Sequence, residues 1–288
     1  MKKIAVISDI HCHLFLFEKI LEDCNQRKID HYLFLGDYIS DGPNSNVIIN
    51  KIKKISNDVI YGNREYDLNQ YDGKTWIDNP RYINKLYAYN DLREENRVYL
   101  KSLSLYKIVE IENRRICISH GTPYKVDGQA LADSYDLFSK LIEDFDCDVY
   151  LFGHQHRPFY TEYQNRLFIN VGSVSTPLDG RATSKYGVLE IGEKIKYELI
   201  EYSYSFEEVK NYYTESDYFK KCWAWSNLLI YALRDGIDYR RRFISHAQAY
   251  AKAKDLDPKK DFTEDVWYGL FFDFMEKNNL KVFLDKSN

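Results

Sequence analysis

A short apolar run near the amino terminus, followed at once by a carboxylate and an imidazole, constrains this chain more than any other stretch. Residues 4–7 read IAVI, and a run this short and this rich in branched side chains is typical of a buried parallel strand. Asp9 and His11 follow its carboxyl end, and residues two apart in extended backbone point to the same side. Because open α/β sheets place their chemistry at the carboxyl ends of strands, we predict that these two side chains begin a ligand set.

The first sixty residues alternate between strand-like and helical patterns, which predicts an α/β fold. Two further strands are expected at residues 32–35 and 59–61, and a helical pattern precedes each of them. Strand–helix–strand connections of this kind imply right-handed crossovers and a parallel sheet. Each predicted strand ends in a loop that carries acidic or amide side chains.

The pattern changes twice along the rest of the chain. Residues 66–101 are polar and tyrosine-rich, and we predict a helical insertion there that overhangs the site. From residue 105 onward, short apolar runs separated by turns predict a second, hairpin-built sheet. Three or four helices are expected after residue 204. We therefore expect one domain over residues 1–204 and a C-terminal helical extension over residues 205–288.

Composition excludes several classes of partner. The chain has 288 residues, 44% of them hydrophobic, so it can bury a substantial core. Its net charge of -4 gives no bulk positive field, and we find no strong signal for nucleic acid. No apolar run approaches the ~20 residues that a membrane helix needs, and no signal peptide precedes the first strand, so we expect a cytoplasmic protein without a membrane partner.

The five cysteines are scattered, without the CxxC spacing of a structural zinc site. This distribution favours a reducing compartment over a disulfide framework. Cys12 lies between two histidines, but a soft thiolate does not suit the hard ligands around it, so we expect a bystander.

Seven carboxylate, amide and imidazole side chains follow apolar, strand-like runs and are candidates for a metal site. They are Asp9, His11, Asp37, Asn63, His120, His154 and His156. This set exceeds what one ion uses and matches two divalent ions with one bridging carboxylate, Mn, Fe or Zn being suited to mixed ligands of this kind. Two ions ~3.5–4 Å apart can hold a hydroxide between them and neutralise phosphoryl oxygens.

Each of these residues also has a purely structural interpretation. Asp9 could cap the helix that follows it, and Asp37 could be an ordinary turn residue. Asn63 after Gly62 is a common turn pair, and a single buried histidine is more often hydrogen-bonded than metal-bound. The metal interpretation therefore depends on the whole set rather than on any one member.

The motifs resemble those of the calcineurin-like metallophosphoesterase family, and in the same order. The matching blocks are Asp9-x-His11, Gly36-Asp37-x-x-x-Asp41-Gly42, Gly62-Asn63, His120 and Gly153-His154-x-His156. A later stretch, Asn170-Val171-Gly172-Ser173-Val174 with Asp179-Gly180, resembles the small bacterial and archaeal phosphodiesterase branch. The resemblance covers about residues 1–202 and implies a β-sandwich of two mixed sheets flanked by helices, with a dinuclear metal site.

The resemblance also implies a role for each motif residue. Asp9, His11 and His156 would bind the first ion, and Asn63, His120 and His154 the second. Asp37 would bridge the two ions, which are expected to be Mn, Fe, Zn or Ni, with Mn the first choice. Asp41 would orient a ligand without binding metal itself. Asp37, Asn63, Arg64 and His120 would then be the catalytic group.

One position departs from the family pattern. Many family members have a histidine after the Gly-Asn pair, where it can protonate the leaving group, whereas this chain has Arg64. A guanidinium is a poor acid but a good phosphate clamp, so we expect Arg64 to contact the substrate together with Asn63. His13 is a further candidate for a phosphate contact or for the missing acid, alongside water, and the alternative is that it is simply a residue at the N-terminus of the next helix.

The leading prediction is a phosphodiesterase that uses a metal-bridging hydroxide to hydrolyse a phosphorylated small molecule or a nucleotide. One alternative is a protein or nucleotide phosphomonoesterase. Another is a non-catalytic interaction scaffold, because a retromer subunit similar to this family serves mainly to bind other proteins. Substrate choice is expected to lie in residues 66–101 and 205–288, which the resemblance leaves undefined.

Two features of the C-terminal region have ordinary structural interpretations. The run Arg240-Arg241-Arg242 is expected to be a solvated helix face, with phosphate binding the less favoured alternative. Trp223, Trp225 and Trp267 are expected to pack the helices together rather than to stack on bases.

Overall fold

Two β-sheets share one apolar layer at the centre of the molecule. The computed structural model describes residues 1–258 and 261–284. The first sheet runs in the spatial order β2 (His31–Phe34), β1 (Lys2–Ile7), β8 (Thr183–Ile191), β9 (Ile195–Ser203). The second runs in the order β3 (Tyr106–Ile111), β4 (Arg114–Ser119), β5 (Val149–Phe152), β7 (Arg166–Asn170), β6 (Phe159–Tyr163). Both sheets are mixed, which confirms the α/β sandwich expected from the sequence.

Strand β1 shows why the layers form. Ile4 and Val6 pack into the layer between the sheets, whereas Ala5 and Ile7 pack against the helices on the outer face. All four are fully buried, as alternation in a strand covered on both faces requires. Strand β1 pairs in parallel with β2 and antiparallel with β8, so it lies inside its sheet.

Two details of the predicted sheets are wrong. Val59 and Ile60 make only isolated bridges, to Phe34 and to Ser104, so the third parallel strand is too short to form a ladder. The late antiparallel strands do not make up one hairpin-built sheet either, because β8 and β9 extend the first sheet while β6 and β7 join the second. The second sheet also contains parallel pairs, β4 with β5 and β5 with β7.

Helices flank the sheets and then continue beyond them. The helices of the first part are α1 (Leu14–Gln26), α2 (Ser45–Ile55), α3 (Asn63–Asn69), α4 (Ile83–Asp91), α5 (Glu94–Ser102) and α6 (Tyr135–Phe145). The C-terminal region adds α7 (Phe206–Thr214), α8 (Asp217–Asp235), α9 (Tyr239–Lys254) and α10 (Glu264–Lys277). No helix in the described residues combines the length and the apolar character that crossing a membrane requires.

The C-terminal helices have an apolar core of their own. It contains Trp225 and Trp267, whose rings lie 6.1 Å apart, and Phe271, which is fully buried. Trp223 stacks on Tyr268 at 5.0 Å. The tryptophans therefore pack the helices together, as predicted.

The same core also seals the extension onto the first part of the chain. Ile83 and Tyr87 of the predicted insertion pack against it, and so does Phe15 of α1. The boundary between two domains near residue 204 stays a prediction.

Candidate metal centre

All seven predicted ligands lie at one edge of the sandwich. Asp9 and His11 follow β1, Asp37 follows β2, His120 follows β4, and His154 and His156 follow β5, whereas Asn63 is the first residue of α3. The strands β4 and β5 run parallel, as do β1 and β2, so each pair delivers its loops to the same end.

The loops turn sharply at the ligands themselves. Asp9, His11, Asp37, His154 and His156 all have positive φ, between 45° and 63°. Left-handed backbone costs an L-residue roughly 1–2 kcal/mol, and Asp and His tolerate it better than bulkier residues. Strain of this kind persists where the surrounding structure fixes it, and it clusters at functional sites.

The first group of ligands consists of Asp9, His11 and His156, whose ligand atoms lie within 4.8 Å of one another. His156 Nε2 is 3.1 Å from Asp9 Oδ1, and His11 Nε2 is 3.7 Å from the same oxygen. The two imidazole Nε2 atoms are 3.4 Å apart. All three side chains are buried or nearly so.

The second group shares Asp9 and adds Asp37 and His120. Asp37 reaches both groups, because its Oδ1 is 3.5 Å from His120 Nε2 and its Oδ2 is 3.6 Å from His11 Nε2. Asn63 Oδ1 is 3.2 Å from His120 Nε2 and 2.9 Å from His154 Nδ1. Asn63 and His154 are partly exposed, so the centre opens on their side.

The hydrogen bonds around the cluster fit a bound cation. His120 Nδ1 lies 2.8 Å from the Leu35 carbonyl, and His156 Nδ1 lies 2.7 Å from the Thr176 carbonyl. In a neutral ring, an Nδ1–H that donates to a carbonyl leaves Nε2 with a lone pair, so a cation that replaces the Nε2 proton would meet lone pairs directed toward carboxylate oxygens.

Asp9 has one oxygen left for such a cation. Its Oδ2 accepts from Ser8 Oγ at 2.6 Å and from the His154 N–H at 3.1 Å. Its Oδ1 is buried without a hydrogen-bond partner among the described residues. Acceptors that converge on acceptors need a positive charge between them, and imidazole with carboxylate suits a divalent transition metal.

Electrostatics in the cluster keep the carboxylates ionised. Burial opposes ionisation of Asp9, but the charges of His156 and His120 outweigh it and hold the pKa of Asp9 well below its usual range. Burial alone would lower the pKa of His120, yet the Asp37 and Asp9 carboxylates raise it to about 9. Burial and the neighbouring His120 lower the pKa of His154 to about 4. The centre therefore combines fixed negative charge with one neutral, accessible imidazole.

Glu65 is a positioning residue that the sequence analysis missed. Its fully buried carboxylate accepts from the N–H groups of Asp37 and Gly62, at 2.9 and 2.8 Å, and from that of Tyr38 at 2.9 Å. It thereby ties the Asp37 loop to the start of α3, which carries Asn63. Gly62 is needed there because a Cβ would lie 2.2 Å from Asp37 Oδ1. The signal was local, since Glu65 stands three residues after Gly62 as in a capping box.

Asp41 connects the centre to the C-terminal helices. Its Oδ2 lies 3.4 Å from His11 Nδ1 and accepts from Arg64 at 3.0 Å and from Arg240 at 2.5 Å, while its Oδ1 accepts from Asn84 at 2.8 Å. Burial opposes ionisation, but the two arginines hold the pKa of Asp41 well below its usual range.

Arg240 corrects the expectation of a solvated helix face. The residue is only 8% exposed and pairs with a carboxylate 199 positions earlier in the chain. Arg241 and Arg242 next to it are exposed, as expected. The separation explains why no local sequence signal revealed the contact.

His13 does not face a substrate. Its ring is fully buried, stacks on Tyr212 with 4.6 Å between ring centroids, and has no hydrogen-bond partner among the described residues. A buried ring cannot touch a phosphate that enters from solvent, so the predicted phosphate contact and acid role of His13 are not supported. Cys12 is also buried, and its Sγ lies 3.1 Å from Ser45 Oγ rather than among the ligands.

Two cavities border the start of α3, one lined by Asn63 and the other by Arg64. The first, of about 710 Å³, is lined by Asn63 and His154 together with Tyr66 and Tyr124. The second, of about 490 Å³, is lined by Arg64, Asp41 and residues of the insertion and the extension. Two of the candidate ligands, Asn63 and His154, therefore border the first cavity, and the clamp candidate Arg64 lies on the wall of the second.

Comparison with known proteins identifies the family of the chain. The sequence matches the calcineurin-like phosphoesterase superfamily domain over residues 1–194. A phosphodiesterase of Methanocaldococcus jannaschii is 24% identical over 200 residues, which cover 69% of this chain and 98% of that protein. An uncharacterized protein of the same organism is 25% identical over 226 residues, covering 71% of this chain and 89% of that protein.

The fold has solved counterparts as well. The crystal structure of a metallophosphoesterase from Sphaerobacter thermophilus superposes with a TM-score of 0.67 at 19% identity, over 82% of this chain and 99% of that one. A hypothetical protein from Pyrococcus horikoshii superposes with the same TM-score at 21% identity. Since the family domain spans residues 1–194 of 288, the chain belongs to the calcineurin-like phosphoesterase superfamily.

Proposed function

We propose that the protein is a dinuclear-metal-dependent phosphoester hydrolase and that it acts as a phosphodiesterase. The observation that carries the proposal is the pair of ligand groups that share Asp9, with Asp37 reaching into both. The similarity to a protein named a phosphodiesterase supports the diester as substrate. The substrate is then a phosphorylated small molecule or a nucleotide, and the enzyme acts in the cytoplasm.

The ligands divide between two ions as the family resemblance implies. Asp9, His11 and His156 would hold one ion, Asn63, His120 and His154 would hold the other, and Asp37 would contact both. Mn is the first choice, with Fe, Zn and Ni as alternatives suited to the same donors. When bound, such ions supply a water acidified toward neutrality and neutralise charge on the phosphoryl oxygens.

Arg64 clamps the phosphate in this proposal. Its backbone N–H donates to Asp37 Oδ1 at 2.8 Å, which fixes the residue against the centre. Its guanidinium is held by Asp41, and Nε is buried without a hydrogen-bond partner among the described residues. A guanidinium stays charged at neutral pH and offers paired donors to phosphate oxygens.

The same residue restricts the leaving group. Arg64 cannot give up a proton near pH 7, so it cannot act as a general acid. We found His13 buried, which leaves water to protonate the departing oxygen. Esters with acidic leaving groups are therefore the preferred substrates.

The scaffold alternative has less support. Interaction surfaces commonly expose a contiguous apolar patch, whereas Trp267 and Phe271 of the extension are buried within its own core. A scaffold also has no need for buried lone pairs that converge on one another.

The test combines metal content with hydrolysis of bis-p-nitrophenyl phosphate and of its monoester. We expect close to two ions per chain, and diester turnover that falls by at least about a hundredfold in Asp37→Ala and His120→Ala. His31→Ala is the matched control and should keep full turnover, because this histidine begins β2, at the end of the strand away from Asp37, and pairs with Asp58. Full activity in both ligand variants would overturn the proposal, and a monoester preference would favour a phosphomonoesterase.

A further inference from the structure

The 490 Å³ cavity beside Arg64 concentrates positive charge in a protein that is negative overall. Five basic side chains line it, Arg64, Arg81, Lys85, Arg240 and Arg241. Asp41 and Asp238 are the acidic residues on its wall, and Lys85 also pairs with Asp67 at 2.5 Å, so an excess of two positive charges remains against a net charge of -4 for the chain. Such a concentration inside a concave site attracts anions by focusing the field.

The cavity wall is assembled from parts of the chain that are distant in sequence. Arg81 and Lys85 come from the insertion, and Arg240 and Arg241 come from α9 of the extension. Arg64 comes from the core. The cavity therefore exists only because the extension docks where it does.

Several donors in this wall are not used by the protein itself. The guanidinium groups of Arg81 and Arg241 have no carboxylate partner in residues 1–258 and 261–284. Trp225 lines the cavity and is only 6% exposed, yet its indole N–H finds no acceptor among the described side chains and backbone. A buried donor without an acceptor is destabilising, and a ligand oxygen would satisfy it.

The two acidic residues already have hydrogen-bond and ion-pair partners within the cavity wall. Asp41 accepts from Arg64, Arg240 and Asn84. Asp238 accepts from the backbone N–H of Arg241 at 3.0 Å, and its Oδ1 lies 3.5 Å from Arg240 Nε. These carboxylates thus hold the arginines in place and leave the outer donors free for an anion.

The cavity is adjacent to the candidate metal centre. Arg64 belongs to both, because its backbone N–H contacts Asp37 while its guanidinium lines the cavity. Asp41 also belongs to both, since its Oδ2 lies 3.4 Å from His11 Nδ1. Arg64 and Asp41 therefore place the cavity next to the candidate ligands Asp37 and His11.

We infer that this cavity binds a second phosphate group of the substrate, so that the preferred substrate carries another phosphate besides the ester that is cleaved. This inference rests on the proposed phosphoesterase function. Arginine forks match phosphate oxygens in paired hydrogen bonds, and an indole N–H adds a donor without adding charge. A volume of about 490 Å³ exceeds what a lone phosphate fills and leaves room for the group that carries it.

The first experiment measures binding without catalysis. Metal-free protein is titrated with inorganic pyrophosphate, and binding is followed by calorimetry and by tryptophan fluorescence, for which Trp225 is the local reporter. Arg241→Gln is expected to weaken binding by about tenfold, the usual loss for one charge-assisted hydrogen bond. Arg242→Gln, the adjacent exposed arginine, is expected to bind like the unmodified protein. Equal affinities in the two variants would overturn the inference.

The fluorescence signal has its own control. Trp225→Phe removes the indole N–H and is expected to abolish most of the fluorescence change while calorimetry still detects binding. A fluorescence change that survives intact in this variant places the anion elsewhere and contradicts the proposed site.

The second experiment uses two esters that differ only in one phosphate. They are thymidine 5′-(p-nitrophenyl phosphate) and its 3′-phosphorylated analogue, assayed with the metal-loaded protein. We expect kcat/KM to be about tenfold higher for the phosphorylated ester, and Arg241→Gln to remove that preference while Arg242→Gln retains it. Pyrophosphate should compete with the phosphorylated ester. If pyrophosphate binds but does not compete, the cavity holds free phosphate and not the second phosphate group of the substrate.

The two experiments separate the cavity from the function. Pyrophosphate binding that depends on Arg241, without hydrolysis of either ester, supports the anion site and rejects the phosphoesterase. Hydrolysis of both esters at equal rates, without pyrophosphate binding, supports the phosphoesterase and rejects the anion site.

Discussion

The loops of the candidate metal centre bury polar groups, whereas the helices of the C-terminal extension bury apolar ones. The loops hold polar atoms together in a buried place, with Asp9 and His120 fully buried and Asp37 only 2% exposed. The extension buries apolar rings in regular helices, with a core built around residues such as Trp267 and Phe271. The loops contain strained backbone and closely spaced charged groups, whereas the extension consists of helices packed around an apolar core.

The two regions meet at a small number of polar contacts. Tyr213 Oη donates to the Asp41 carbonyl at 2.9 Å, Tyr212 Oη donates to the Cys12 carbonyl, and Arg240 pairs with the Asp41 carboxylate. The difference teaches that the core carries the candidate ligands, while the extension contacts their loops and shapes one wall of the cavity beside Arg64. The following substitutions each change a residue of one region or a contact between the two.

The largest effect is expected from Asp9→Asn, which removes the carboxylate shared by both ligand groups. We expect hydrolysis of bis-p-nitrophenyl phosphate to fall by at least about a thousandfold, because loss of metal removes several kcal/mol of charge stabilisation. A divalent ion at a hundred times its Kd should raise the unfolding free energy of the unmodified protein by about 2.7 kcal/mol, and of the variant by far less. Urea unfolding with and without Mn measures this difference.

Asp30→Asn is the control, since Asp30 is a surface carboxylate that pairs with Lys2. It should keep both the turnover and the response to Mn. A response to Mn that persists in Asp9→Asn would mean that the metal binds outside the predicted centre.

The clustering of the candidate ligands could be predicted from the sequence because six of the seven follow a strand within a few residues, and Asn63 follows the isolated bridges of Val59 and Ile60. Asp9 stands two positions after β1 and Asp37 three positions after β2, so an apolar run and a polar loop together locate them. The α/β class follows from the same local patterns. Sheet membership of the later strands could not be predicted, because β8 and β9 are hairpin-like in sequence whichever sheet they join.

Contacts between the two regions could not be predicted from local sequence patterns, because they depend on how distant segments of the chain pack together. Arg240 is one of three consecutive arginines, and only the docking of α9 decides which of them is buried. His13 looked accessible because it follows two ligand positions, yet Tyr212 from α7 covers it. Burial by a distant segment leaves no trace in the neighbouring sequence.

Arg240→Met tests this contact as a coupling between the two regions. Removing one partner of a buried ion pair typically costs about 3–5 kcal/mol, and Arg64 and Asn84 still satisfy part of Asp41, so we expect about 3 kcal/mol. Urea unfolding measures the loss. Arg242→Met should change stability by less than about 0.5 kcal/mol, because that side chain is exposed. Similar small losses in both variants would mean that the pair does not couple the extension to the core.

Glu65→Gln tests the positioning of the loops within the core. Each carboxylate oxygen of Glu65 accepts from two backbone N–H groups, so either orientation of a glutamine amide sets a donor against donors. We expect a loss of about 1–3 kcal/mol in unfolding free energy and about 10–100-fold weaker metal binding. Equilibrium dialysis with Mn measures the affinity. Glu95→Gln, on the exposed face of α5, is the control and should leave both quantities unchanged.

Gly236→Ala and Gly269→Ala should change stability in opposite directions although both lie in the extension. Gly236 ends α8 with φ of +66°, and its carbonyl accepts from the Gly180 N–H of the core at 3.2 Å. A Cβ at this position would lie 2.6 Å from the Arg181 backbone nitrogen, so we expect a loss of about 2 kcal/mol from left-handed strain and from displaced docking. Gly269 lies within α10 with open space around it, so alanine there should add about 0.5–1 kcal/mol through helix propensity. Thermal unfolding of both variants separates docking from helix stability, because only Gly236→Ala should also weaken binding of pyrophosphate beside Arg240. A loss of stability in both variants would show that the extension tolerates no added side chain, and the close approach at Gly180 would then carry no special weight.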